Sequence, residues 1–237
     1  WDDERARFDS VLATILEGRR VVGIVLTHHH HDHIGDVERL RALHHCPVYA
    51  HALTAEQVPF AVDVIIDDGH VFELPAVDDD AARTLRFVAV HTPGHARGHI
   101  CLFEPERRLL VAGDMIAGVG SIIIDPPEGH MATYLASLDR LIALDPRSVI
   151  PAHGGLLTDA VARLQQQKDH RLAREAKVRA AVVAGHDTID AIVLAAYGAD
   201  TSPAMFPFAA RAVTAILEKL GEDGVVVDVD GRWQTRA

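Results

Sequence analysis

The apolar run Val21-Val22-Gly23-Ile24-Val25-Leu26 stops at Thr27, and His28-His29-His30-His31-Asp32-His33-Ile34-Gly35 follows at once. This segment constrains the chain more than any other. Side chains alternate along an extended backbone, so where the chain leaves a strand His28 and His30 point to one side and His29 and His31 away. Asp32 and His33, one turn further on, are then placed to serve a second ion. Imidazole nitrogens with carboxylate oxygens suit zinc, iron or manganese. A purification tag is the bland alternative, but a tag sits at a terminus and is not followed by Asp-His-Ile-Gly after an apolar strand.

Three more residues of ligand type each follow a short apolar strand: His95 in His91-Thr92-Pro93-Gly94-His95, Asp114 after Leu109-Leu110-Val111-Ala112-Gly113, and His153 in Val149-Ile150-Pro151-Ala152-His153. Each strand runs into Gly or Pro, and the turn presents one ligand at a sheet edge. A single histidine after a strand is ordinary. Four such pieces in this order are a signature.

The set His28, His30, Asp32, His33, His95, Asp114 and His153 resembles the five-motif signature of the metallo-beta-lactamase superfamily. The resemblance implies an α/β fold, an αβ/βα sandwich with a dinuclear metal site at one edge. It implies that His28, His30 and His95 hold one ion, that Asp32, His33 and His153 hold the other, and that Asp114 bridges them. With a carboxylate at 114 and the Asp-His pair at 32–33, the pattern is more similar to glyoxalase II and its relatives than to the antibiotic-degrading enzymes. Members of the superfamily usually carry several strands before H-x-H-x-D-H, whereas 27 residues precede His28 here. Part of the first half-sandwich is therefore expected to be missing from this numbering, either because a further N-terminal stretch precedes these residues in the native protein or because the sheet is trimmed.

Helical spacing of Phe8, Val11, Leu12 and Ile15 predicts a helix over 4–18, and a second helix runs from Gly35 to about His45 with Asp36 at its positive end. Strands are expected near 21–26, 47–50, 62–66, 70–74, 84–90, 99–104, 108–112 and 147–150, with a helix at 130–143. The 237 residues, 49% hydrophobic, suffice for one sizeable core and a small appended unit. No apolar run nears the roughly 18 residues of a membrane span, and no signal peptide is visible. The two cysteines, Cys46 and Cys101, form no C-x-x-C pair. A reducing, cytoplasmic setting without membrane contact is the expectation.

Beyond Gly155 the composition shifts. Residues 158–184 carry six basic against three acidic side chains, a net of +3 in a chain whose total is −11. A long helix with a basic face fits, read either as a solvated face or as an anion contact through Lys168, Arg171 and Arg174. Asp187-Thr188 opens a short helix, Phe208–Leu220 forms another, and Asp230-Gly231 turns a hairpin. Helix, helix and hairpin resemble the winged-helix tail of the lactamase-beta-like endoribonucleases and their hydrolase relatives. The chain therefore reads as a catalytic domain over 1–157 and a helix plus winged-helix-like domain over 158–237. Ile189, Val193, Leu194, Phe208, Val213, Ile216, Leu217 and Trp233 are expected to form a satellite core packed on the long helix and the metal domain, where it shapes the pocket or builds a homodimer. Residues 187–237 sum to −4, poor footing for duplex DNA.

Two cations about 3.5–4 Å apart share a water, lower its pKa and polarise the electrophile, so a bridging hydroxide is the expected nucleophile, oriented by Asp32 and Asp114. Two divalent ions, zinc before iron or manganese, are the expected cofactors. Hydrolysis of an ester, thioester or lactone of a small, anionic substrate is the leading reading. Cleavage of single-stranded RNA is the alternative, and a non-catalytic winged-helix regulator is the weakest. His99 reads equally as support for a ligand imidazole or as a polar strand residue.

Overall fold

The computed structural model describes residues 2–75, 84–198 and 202–236. Its internal contacts divide the chain into two compact units, Trp1–Ile66 and Asp67–Ala237.

The first unit runs α1 (Asp2–Ile15), β1 (Ile24–Val25), α2 (His31–Ile34), α3 (Val37–His44), β2 (Val48–Ala50), α4 (Ala52–Ala55) and β3 (Val64–Ile65). Its strands form a parallel sheet in the order β1-β2-β3. The strand expected over 21–26 contracts to two residues. Leu26, Ile34, Val37, Val48 and Ala50 make the core of this unit. Asp36 precedes α3 as expected, yet its side chain makes no cap. Arg39 donates to its carboxylate from Nε at 3.0 Å and from a terminal nitrogen at 2.5 Å, and that bond chiefly holds the Asp36 carboxyl below its ordinary range. Helical spacing predicted α1 correctly, but Phe8, Val11 and Ile15 are about half exposed.

The second unit begins with β4 (Val71–Pro75), β5 (Thr84–His91), β6 (Ile100–Glu104) and β7 (Leu109–Gly113). It continues with α5 (Met131–Ala143), β8 (Ser148–Pro151), β9 (Leu157–Thr158) and α6 (Ala160–Val183). It closes with α7 (Ile189–Tyr197), α8 (Phe206–Glu222), β10 (Val226–Val229) and β11 (Arg232–Thr235). Six strands form one sheet in the order β4-β5-β6-β7-β8-β9. Every neighbouring pair is antiparallel except β7 and β8, which run parallel. Parallel neighbours need a crossover, and α5 lies in it. Counting directions across the sheet, β5, β7 and β8 all end at the same edge.

The sheet and the C-terminal helices share one core. Leu110 and Val149 of the sheet, Tyr134 and Leu138 of α5, Leu164 and Val178 of α6, Val193 of α7 and Ile216 of α8 belong to a single buried cluster. The tail's apolar residues pack on the long helix and the sheet as expected, so closely that they continue the main core rather than form a separate one. Leu194 and Phe208 leave that set, being 49% and 43% exposed. α6 decides this outcome, because it packs on α5, α7 and α8 at once. Thr188 caps α7 by accepting from Ala191 N–H at 3.3 Å. Asp230 and Gly231 take φ of 52° and 77°, the left-handed pair that a two-residue hairpin turn demands. Among the described residues, no helix is long and apolar enough to cross a membrane.

Arg140 of α5 ties the helix to the end of β5. It donates to Asp68 Oδ2 at 2.7 Å and to the His91 carbonyl at 3.1 Å, while Asp68 Oδ1 accepts the His91 N–H at 2.9 Å. The Arg140 bond chiefly holds the Asp68 carboxyl below its ordinary range. The stabilisation is thus complete above the ordinary carboxylate value of about 3.9 and fades as pH falls through the lower folded value. Asp68→Asn should lower unfolding free energy at pH 7 by about 0.5–1 kcal/mol, the size for a solvated pair. Urea denaturation at several pH values should show the gap between parent and variant closing below about pH 4.

Candidate metal centre

In the first unit the chain leaves β1 in extended form, with His30 at φ −63° and ψ 147°, and enters the single turn of α2. His28 is fully buried. Its Nε2 lies 3.0 Å from His30 Nδ1, and its ring centroid 4.0 Å from that of His33. His33 Nε2 is 3.6 Å from Asp32 Oδ2. The irregular backbone at 28–30 and the turn at 31–34 therefore gather four ligand-type side chains. His31 is exposed, and His29 stacks edge-on to His30 with centroids 4.9 Å apart.

In the second unit the common edge of β5, β7 and β8 gathers the other three. His95 and Asp114 are buried, at 7% and 6% exposure. His95 Nδ1 donates to the Ile123 carbonyl at 2.7 Å, which makes Nε2 the free-lone-pair nitrogen of that ring. That Nε2 is 3.4 Å from Asp114 Oδ2, and His153 Nε2 is 3.5 Å from Asp114 Oδ1. Both separations exceed a good hydrogen bond. They match the spacing of about 3.4 Å between two ligands held tetrahedrally at roughly 2.1 Å from one cation. The donor set fits a divalent ion. The His and Asp side chains of a kind that can hold metal are thus His28, His30, Asp32 and His33 in the first unit and His95, Asp114 and His153 in the second.

Local backbone sets these positions. A Cβ at Gly94, whose φ is +130°, would lie 2.4 Å from the backbone of Tyr134. Only glycine lets the turn before His95 press against α5, where His130 N–H donates to the Gly94 carbonyl at 2.8 Å. Gly154 has φ +108° and meets Gly118 in the same way, with a Cβ only 2.8 Å from the Gly118 Cα. The ladder between β7 and β8 slips between Val111 and Gly113, and such a slip re-aims the residue that follows, here Asp114.

His99 holds Asp114 through its backbone. Asp114 N–H donates to His99 Nε2 at 3.0 Å, so the ring proton sits on Nδ1, 2.8 Å from Thr92 Oγ1. All of this is buried. Cys101 Sγ lies 3.3 Å from Thr92 Oγ1 and donates to the Ala112 carbonyl at 3.4 Å. Burial pushes its thiol up to about 12, which makes it a structural donor rather than a nucleophile. Sequence reasoning missed Thr92 and the Ile123 carbonyl. The latter is a main-chain acceptor 28 residues from His95 and carries no residue-type signal.

The three residues of α6 read as an anion contact separate. Lys168 pairs with Asp139 at 2.5 Å. Arg171 is 3% exposed, donates to the Ile122 carbonyl and lies 5.4 Å from the Tyr134 ring centroid. Arg174 lies 5.3 Å from the Tyr197 ring centroid. Arg171 and Arg174 line a cavity and Lys168 does not.

Residues 2–153 match the family model of the Metallo-beta-lactamase superfamily, and residues 188–233 match the Beta-lactamase associated winged helix domain. The chain belongs to the metallo-beta-lactamase superfamily, with its mixed α/β fold and a C-terminal winged helix. By class it is a metal-dependent hydrolase. An atrochrysone carboxyl ACP thioesterase of Cryptosporiopsis sp. (strain 8999) is 29% identical over 92% of this chain and 68% of its own. A hydroxyacylglutathione hydrolase of Bdellovibrio bacteriovorus is 35% identical over 55% of this chain and 47% of its own. A solved metallo-beta-lactamase family protein of Thermus thermophilus superposes with a TM-score of 0.73 at 25% identity, covering 91% of this chain and 80% of that one.

Removing the acceptor at 99 leaves the Asp114 N–H buried and unmet. His99→Leu should cost about 1–3 kcal/mol in chemical denaturation and weaken metal binding about 10- to 100-fold by competitive chelator titration.

Proposed function

We propose that the seven residues supply one dinuclear centre that hydrolyses an ester or thioester of a small, anionic substrate. His28, His30 and His95 would hold one ion, Asp32, His33 and His153 the other, and Asp114 would serve both. The observation that carries the reading is the Asp114 carboxylate, each of whose oxygens faces a different histidine, Nε2 of His95 and Nε2 of His153, at 3.4 and 3.5 Å. Superfamily membership and the thioesterase and hydroxyacylglutathione hydrolase names among the relatives favour acyl transfer to water. When bound, such an ion pair supplies an activated water and polarises the acyl oxygen.

The chain's own residues do the rest. His95 is held in one tautomer by the Ile123 carbonyl, so its metal-facing nitrogen stays unprotonated. The His99–Asp114 backbone bond fixes where the carboxylate sits. Asp32 is the exposed carboxylate of the set, its side chain 59% accessible, and is placed to orient the attacking water and take its proton. Zinc satisfies the nitrogen and oxygen donors, as do iron and manganese. Elemental analysis of purified protein assigns the metal.

Two outcomes test this. Asp114→Ala should retain the fold by circular dichroism, lose at least one of two bound ions by elemental analysis, and lower kcat/KM on a thioester by at least about 10³-fold, the scale for removing one preorganised electrostatic group. Full activity with two ions bound would defeat the assignment. Asp32→Asn, which keeps size but cannot take a proton, should lower kcat more than KM on the same substrate.

A further inference from the structure

We propose that the cavity walled by α6, α7 and α8 and residues 121–123 is a subsite for an organic anion with an apolar or aryl body. Its apolar walls include Ile122, Ile123, Phe208 and Ala212, its polar lining includes Ser121, Arg171 and Arg174, and its volume is about 410 Å3. That volume lies in the range of small-molecule sites, which combine apolar walls with few polar groups.

Charge identifies the occupant. Arg171 is a cation withdrawn almost wholly from water, and its contacts are a carbonyl oxygen and a tyrosine face. Its Nε is buried with no hydrogen-bond partner among the described residues. Arg174 faces the Tyr197 ring. Neither guanidinium has a carboxylate partner among the described residues, although the neighbouring Glu175 is engaged by Lys219 at 3.2 Å. A buried cation without a counter-ion is costly to keep. Arg171, with the half-buried Arg174 beside it on one apolar cavity, makes sense when an anion completes the pair, and the guanidinium fork suits a carboxylate or a phosphate alike.

Position links the cavity to the chemistry. The Ile122 carbonyl accepts from Arg171, and the carbonyl of the next residue, Ile123, accepts from His95 Nδ1. One dipeptide thus joins the anion-binding arginine to a metal-ligand histidine. Resting on the hydrolase reading, this deepens it: the substrate is an acid derivative that carries a second, anionic group on an apolar framework.

The test is isothermal titration of the metal-loaded full chain at constant ionic strength with 2-naphthoate, 2-naphthyl phosphate, neutral 2-naphthol and an oligouridylate. At least one naphthyl anion should bind at least about tenfold more tightly than 2-naphthol, and the tighter of the two names carboxylate or phosphate as the anion. Arg174→Gln should weaken that binding about 10- to 100-fold. Ala212→Trp, which fills the cavity from α8 and leaves both arginines in the sequence, should abolish it, whereas a probe seated on the metals would ignore that change. Equal binding of 2-naphthol, indifference to both variants, or oligouridylate outcompeting every naphthyl probe would overturn the proposal. Turnover is not read, so failure of the hydrolase reading leaves these isotherms unchanged. Conversely, a failed isotherm leaves metal-dependent turnover of a neutral thioester intact.

Discussion

The second unit depends on one topological fact, that β7 and β8 are parallel neighbours in an otherwise antiparallel sheet. Parallel pairing brings two C-terminal strand ends side by side, and two antiparallel steps from β7 bring the end of β5 to the same edge. His95, Asp114 and His153 each follow one of those ends. Had β8 paired antiparallel, its C-terminal end and His153 would lie at the opposite edge, a whole strand length away. The crossover that parallel pairing requires is not idle chain: it contains Ile123, whose carbonyl holds His95, and α5, against which Gly94 closes.

Polar burial at that edge is tolerated because each group has a geometry that answers it. Asp114 N–H finds His99, His99 finds Thr92, and Cys101 finds the Ala112 carbonyl. The chain of bonds runs through residues of β6 and the ends of β5 and β7, so the sheet and the ligand loop stabilise one another. Buried networks of this kind help only when every member is satisfied. Arg171 is the contrast. Its charge is buried with a carbonyl and an aromatic face for company, which offsets part of the desolvation that a carboxylate would offset more fully.

The C-terminal helices alter how the chain's parts should be regarded. Family models separate residues 2–153 from residues 188–233, yet α6, α7 and α8 continue the buried core that begins under the sheet. α6 supplies both the apolar residues that join that core and the arginines of the cavity. An amphipathic helix read in isolation offers a basic face; only its neighbours reveal that Lys168 is engaged by Asp139 while Arg171 turns inward.

The sequence by itself determined the seven ligand-type residues, the α/β class, the order of nearly every element and the hairpin at Asp230-Gly231. Those features are local: alternation, helical period and turn chemistry act over a few residues, and H-x-H-x-D-H is legible because its spacing is its geometry. Tertiary structure alone decided which carbonyl holds His95, that His99 serves the Asp114 backbone, that the tail shares the sheet's core, and that Arg171 and Arg174 border a cavity while Lys168 does not. Each of these joins groups tens of residues apart through main-chain atoms or packing, and neither main-chain acceptors nor packing partners leave a mark on residue type. The short β1 and the half-exposed stripe of α1 belong here too, since spacing predicts an element but burial depends on what covers it.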